Sequence, residues 1–271
     1  AKVSDQNNNP ISDVKVTFEV MSGTGTTNVL EASTNSSGVV QTEFTLGPTL
    51  GTHKVKFKIN SDLQNGDVLE LVFTAIAKPG SPSSINSYIE GSGPVIANGN
   101  SASIITIKLV DDLFYGVPGI VPTFSATGSE NSIGSCSETD DDGFSYCYLK
   151  STLAELKSIN LEHPIQLAGD EIEFIHGPSH HLLITKQPDS KIANESTNVM
   201  LVIKDEHNNT ILTGVDSHAL VRASLEEGTG SLSGTTEITA SNGIVNFANL
   251  QIKASGTKKI KFSKDDTSSL G

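Results

Sequence analysis

The chain is patterned at period two. KVTFEV, KVKFKI, SIITIKLV and VMLVIKD alternate apolar with polar residues, the signature of strands buried on one face. Val, Ile, Thr and Phe fill these runs, while Gly, Asn, Asp, Pro and Ser fill the gaps. No window sustains a 3.6-residue apolar stripe. The nearest helical candidate, STLAELKSI (Ser151–Ile159), is read as one helical turn at most. Short strands with turn signals about every ten residues predict an all-β sandwich.

The pattern repeats. Val3–Val20, Leu109–Ala126 and Val202–Ser224 each carry a strand-like run ending in Asp (Asp5, Asp111, Asp205). An aliphatic residue returns six positions later, at Ile11, Val117 and Ile211. A second landmark follows: TNSSG, TDDDG and TASNG, each a polar turn closed by Gly38, Gly143 or Gly243 and followed by an alternating strand. A third is a short turn and strand, GTHKVKFKI, AELKSINLEH and GTKKIKFSK. Three landmarks in one order, about one hundred residues apart, mark repeated whole domains rather than solenoid units. The predicted division is residues 1–80, 81–178 and 179–271. The joining stretches, FTAIAKPGSPSSI and FIHGPSHHLLITKQP, hold Pro beside Gly and are short, which favours semi-rigid junctions. Aligned with each other, the first repeat is expected to lack its first strands and the third its last strand. The middle repeat is complete, so the chain reads as a piece of a longer array.

VSDQNNNPISDVKVTFEVMSGTGT, TNSSGVVQTEFTLGPTLGTHKVKF and LLITKQPDSKIANESTNVMLVIKDEHNNTI resemble the bacterial immunoglobulin-like repeats of invasin- and intimin-type surface adhesins. The likeness is weakest in the middle repeat. It implies Greek-key β-sandwiches in an extended tandem array on a bacterial surface, an exported extracellular location, and further repeats of the same kind as neighbours. The antibody-type Cys-Trp-Cys core is absent: the chain has no Trp, and its two Cys are too near in sequence to join opposite sheets.

Composition narrows the partners. With 18 basic and 31 acidic residues the net charge is −13, which disfavours nucleic acid and anionic lipid. No apolar run approaches the roughly 18 residues of a membrane span. Hydrophobic residues are only 36% and aromatics 5%, suited to several thin cores.

Candidate chemistry is sparse. In CSETDDDGFSYC, pairing Thr139 with Phe144 around the turn also pairs Cys136 with Cys147, within disulfide range. The alternative is two buried free thiols. A cystine fits an oxidising compartment. Asp140-Asp141-Asp142 is contiguous, unlike a calcium loop, and reads as a solvated turn. Asp170, Glu171 and Glu173 are a weaker junction calcium candidate. His176, His180 and His181 cluster, but adjacent residues on a strand face opposite sides, so His180 and His181 are not expected to converge. Glu226-Glu227 and Asp265-Asp266 read as solubility charges. The sequons at Asn35, Asn194 and Asn208 read as chance matches. There is no nucleophile elbow and no phosphate loop, so neither catalysis nor a cofactor is expected.

Two functional readings follow. One is a stalk or spacer segment of an adhesin. The other is direct binding of a host, prey or glycan ligand through Phe114 and Tyr115. These two stand where the other repeats have Asn and His, and aromatics in turns serve as recognition anchors. They equally suit covering a contact between domains. An accessory module of a secreted enzyme or phage fibre is a further alternative.

Overall fold

The structure is a computed structural model that describes residues 1–59 and 69–265. It divides into two compact units, Ala1–Asn86 with Val110–Val117, and Ser87–Leu109 with Pro118–Gly271.

In the first repeat the strands are β1 (Lys15–Ser22), β2 (Thr26–Thr27), β3 (Glu31–Ser33), β4 (Phe44–Thr45), β5 (Gly51–Ile59) and β6 (Leu69–Ala77). They form an antiparallel sheet in the order β3-β1-β5-β6 and a short ribbon of β2 and β4. Val16 and Phe18 of β1 point inward, meeting Val40 and Val55 in a small core. The Phe18 and Phe57 rings meet edge to face at 4.8 Å. The alternating run VVQTEF, predicted as a strand, forms only β4 at its end. Its counterparts in the later repeats pair along a neighbouring strand. Here its start meets only the short stretch Ala1–Val3: Val39 bridges to Lys2, and Val40 exchanges hydrogen bonds with Ala1, too few to extend a ladder along the rest of the run.

The second repeat holds β7 (Tyr88–Gly91), β8 (Val95–Ile96), β9 (Ser103–Lys108), β10 (Thr123–Ala126), β11 (Asn131–Ile133), β12 (Phe144–Ser151), β13 (Leu156–His163) and β14 (Leu167–Ile175). Their order is β11-β12-β9-β7 in one sheet and β10-β13-β14-β8 in the other, with β8 parallel to β14. This is the immunoglobulin-type arrangement of two Greek-key sheets. Ile105, Ile107, Cys147 and Leu149 from one sheet, with Ile159, Leu161, Ile172 and Phe174 from the other, are all buried. Gly91 lets the sheets approach, since a Cβ there would stand 2.3 Å from the Ile172 side chain. The candidate STLAELKSI forms no helical turn: Ser151 ends β12, and a bend leads into β13.

The third repeat holds β15 (His181–Lys186), β16 (Thr197–Lys204), β17 (Leu220–Glu227), β18 (Leu232–Ser233), β19 (Glu237–Thr239), β20 (Ile244–Ile252) and β21 (Lys259–Lys264). The sheets run β15-β16-β20-β18 and β19-β17-β21. Val199, Leu201, Ile203, Val221, Val245 and Phe247 make the core. A 3-10 turn at Val215–His218 precedes β17. Asp266 and the end of the chain fall outside the described residues. Among those described, no helix is long and apolar enough to cross a membrane.

Candidate functional site

The repeated Asp explains itself once its loop is seen. Asp205 follows β16 directly, and its backbone N–H donates to Asn209 O at 2.9 Å. Its Oδ1 accepts the N–H groups of His207 (2.9 Å) and Asn209 (2.7 Å). Asn208 between them is left-handed, at φ 67. Asp5 and Asp111 build the same loop. Asp5 Oδ1 takes the N–H groups of Asn7 and Asn9, and Asp111 Oδ1 those of Leu113 and Tyr115. An aspartate at the loop's first position is thus a turn template, holding two backbone donors otherwise left open.

The second carboxylate oxygen reaches the joining stretch. Gly177 N–H donates to Asp205 Oδ2 at 2.8 Å, and Gly80 N–H donates to Asp111 Oδ2 at 2.8 Å. Asn209 adds a bridge. Its Nδ2 donates to Asp205 Oδ2 and to Thr152 O, each at 2.9 Å, while its Oδ1 accepts Ala154 N–H at 2.8 Å. The turn between β12 and β13 is therefore tied to the loop after β16. Burial works to raise the Asp205 pKa. It is outweighed by the Asn209 side chain and by the Gly177, Asn209 and His207 N–H groups, so the carboxyl sits below its ordinary value. Asp111 is lowered likewise, by the Gly80, Tyr115 and Leu113 N–H groups acting against burial.

Phe114 and Tyr115 lie on the middle loop. In the loop they align with Asn8-Asn9 and Asn208-Asn209, so the expected match of one of them to a His does not hold: His207 stands one position earlier. Phe114 takes the left-handed conformation of Asn8 and Asn208, at φ 65, and the residue is 71% exposed. Asn tolerates that backbone well, whereas a bulky aromatic does so at a cost in strain. Tyr115 is half-buried. Leu113 beside them is also exposed, so the loop tip is apolar.

Cys136 and Cys147 form a disulfide, with Cα atoms 4.3 Å apart. Ser137 N–H donates to Tyr146 O at 3.0 Å, the pairing that sets the two cysteines opposite each other. The Asp140 turn uses its carboxylate internally: Oδ1 accepts the N–H groups of Asp142 (3.0 Å) and Phe144 (2.8 Å). Asn35 does the same for Ser37 and Val39 in the first repeat. Asp170, Glu171 and Glu173 are exposed along β14, with Glu171 accepting from Ser158 Oγ. Among the described residues, no group of three or more His, Cys, Asp or Glu side chains is placed to hold a metal ion.

The histidines correct one expectation. His176 Nε2 accepts Thr213 N–H at 3.1 Å, so Nδ1 is the protonated nitrogen and donates to Gly177 O at 2.8 Å. His180 and His181, expected to diverge, converge: their Nδ1 atoms lie 3.3 Å apart. The alternation rule fails because His180 precedes β15 and has no strand geometry, whereas His181 begins the strand.

Two features escaped the sequence reading. The first is Lys157, fully buried, whose Nζ donates to Ser129 O at 2.9 Å and pairs with Glu155 at 2.5 Å. The Lys157 ammonium, with Ser129 N–H, holds the Glu155 carboxyl below its usual value despite burial. The second is an aromatic outer sheet face. Phe144, Tyr146 and Tyr148 alternate outward on β12 beside Ile104, and Tyr88 projects from β7 in the same sheet. The Phe144 and Tyr146 rings are nearly parallel, 6.4 Å apart, and the Lys108 ammonium stands 3.8 Å above the Phe144 ring. Burial, then the neighbouring Glu90 and Tyr146, raise the Tyr88 pKa. The alternation FSYCYL was the legible signal for this face.

The chain matches no protein-family model. Among solved structures it is similar to the Escherichia coli adhesin FdeC, with a TM-score of 0.52, 16% identity, and 96% of this chain and 85% of that chain covered. It is also similar to invasin, described as a bacterial integrin-binding protein (TM-score 0.49, 17% identity, 98% of this chain covered), and spans 52% of that chain's length. Yersinia pseudotuberculosis InvD gives TM-score 0.49 and 16% identity over 95% of this chain and 79% of that chain. With the sheet orders above, the FdeC likeness defines the class: an all-β chain of immunoglobulin-like sandwiches.

Proposed function

We propose that this chain is a non-enzymatic stalk or spacer segment of a bacterial surface adhesin, built of three immunoglobulin-like units at 1–80, 81–178 and 179–271. The observation that carries this reading is the buttressed joint after β14. There the Asp205 carboxylate takes the linker Gly177 N–H, and Asn209 bridges to Thr152 and Ala154. A spacer must transmit position and load, and buried charge-assisted hydrogen bonds at a joint do that. The Cys136–Cys147 cystine supports export to an oxidising, extracellular setting. The structural neighbours that are adhesins support the same role, with further repeats of the parent chain as its immediate partners.

The exposed, strained Phe114 favours one second reading: direct binding of a protein or glycan ligand through the Phe114–Tyr115 loop. One experiment separates the two. The segment is exchanged, in its parent surface protein, for three unrelated immunoglobulin-like repeats, and attachment of cells is measured. Retained attachment supports the spacer, and lost attachment refutes it. In that second case a Phe114→Ala/Tyr115→Ala double variant that attaches normally would eliminate the loop as the ligand site.

A further inference from the structure

Three other histidines are occupied by the fold. His53 Nε2 lies 2.8 Å from Thr49 O, His176 is held by Gly177 and Thr213, and His218 Nδ1 lies 2.8 Å from Ser217 Oγ. The Nδ1 atoms of His180 and His181 instead face each other at 3.3 Å, with ring planes 84° apart and centroids 5.5 Å apart. Both residues are anchored by the same partner strand. His180 N–H donates to Lys204 O at 2.7 Å, and His181 pairs with Lys204 in the β15–β16 ladder. The two rings are therefore presented from a fixed backbone, with His180 exposed and His181 half-buried.

That separation has a chemical meaning. Two nitrogen ligands at about 2.0–2.1 Å from one ion, with about 109° between them, stand about 3.3 Å apart. A hydrogen bond between two imidazoles is the other way to fill such a gap, and it uses one proton that a metal ion displaces. We propose that His180 and His181 form a two-imidazole surface site for a borderline divalent transition-metal ion, of which zinc is the type. Water completes the coordination, since no third His, Cys, Asp or Glu joins the pair among the described residues. Neutral imidazole nitrogen selects zinc, copper or nickel ions over calcium and magnesium, which require oxygen ligands. The pair sits at the start of β15, just after the joint at Gly177, so an ion there holds the two rings together where the chain enters the third repeat.

The test is a calorimetric titration of the whole chain, without any histidine tag, with zinc chloride, followed in parallel by the imidazole resonances in NMR. At substoichiometric zinc the His180 and His181 ring signals are expected to shift before those of His53, His163, His176, His207 and His218. His180→Ala and His181→Ala are each expected to weaken binding at least tenfold, because either leaves a single protein ligand. His218→Ala is expected to leave it within twofold, and calcium chloride is expected to give no heat at the same concentrations. A zinc response spread evenly over the histidines, or an affinity unchanged in His180→Ala, would overturn the proposal. The wild-type NMR readout decides the matter even if His181→Ala disturbs β15.

Discussion

Replacing Asp205 by Asn tests the joint at the level of single atoms. The carboxylate accepts two hydrogen bonds on each oxygen: His207 and Asn209 N–H on Oδ1, Gly177 N–H and Asn209 Nδ2 on Oδ2. The residue is only 1% exposed, so water cannot take the place of a lost partner. In Asp205→Asn, whichever way the amide turns, two donors face an NH2 group. Each buried donor left unmatched costs about 1–3 kcal/mol. Allowing for relaxation of Asn209, the total is about 3 kcal/mol, which lowers the melting temperature of a 100-residue domain by roughly 10–20 °C. Exchange of the Gly177 amide should accelerate by roughly 150-fold, at 1.4 kcal/mol per decade. Asp5→Asn is the matched control. The Asp5 loop is the same, but it is exposed, so water replaces what is lost and the cost is far smaller. Calorimetric melting and hydrogen exchange of the two variants provide the comparison. Equal costs at Asp5 and Asp205 would refute the claim that burial at the joint gives this carboxylate its weight. The pH dependence has a definite sign. The folded-state pKa of Asp205 is depressed, so its contribution is present above the ordinary carboxylate value of about 3.9 and fades as pH falls through the folded value. The deficit of Asp205→Asn relative to wild type should therefore shrink on acidification below about pH 4.

Reducing the Cys136–Cys147 bond, which spans a separation of 11 residues, should destabilise by at most about 3 kcal/mol in the chain-entropy view; a mass gain of two hydrogens checks the reduction, and melting reads the loss. Lys157→Met keeps the buried stem but strips Ser129 O and Glu155 of their donor, at a cost of about 2 kcal/mol in denaturant unfolding. A Cβ at Gly243 would stand 2.4 Å from Ile211 O, in a residue already at φ 72, whereas Gly214, at φ 78, has open space. Gly243→Ala should therefore cost well over the roughly 1 kcal/mol expected of Gly214→Ala, a ranking that thermal melts of both variants would settle.

The period-two alternation and the turn residues were enough to read strands at KVTFEV, SIITIK and VMLVIK, because side-chain burial on one face is a local property of a strand. The triplicated Asp and Gly landmarks were legible too. Asp5, Asp111 and Asp205 recur because a carboxylate is needed at one loop position to hold its own backbone. The Cys136–Cys147 pairing followed from hairpin arithmetic, since eleven residues around one turn leave little choice of register. Other features depended on contacts distant in sequence. Val39–Glu43 alternates like a strand yet makes only a bridge from Val39 to Lys2, because a ladder needs a longer partner. Nothing local marks Lys157 as buried, and the approach of Ser129 O, with Glu155 beside it, makes its burial tolerable. His180 and His181 converge because the first lies just outside β15, a boundary that hydrogen bonding to Lys204 sets and composition does not. Local sequence determined which residues alternate and turn; the packing of distant segments decided which polar groups are buried, paired and brought face to face.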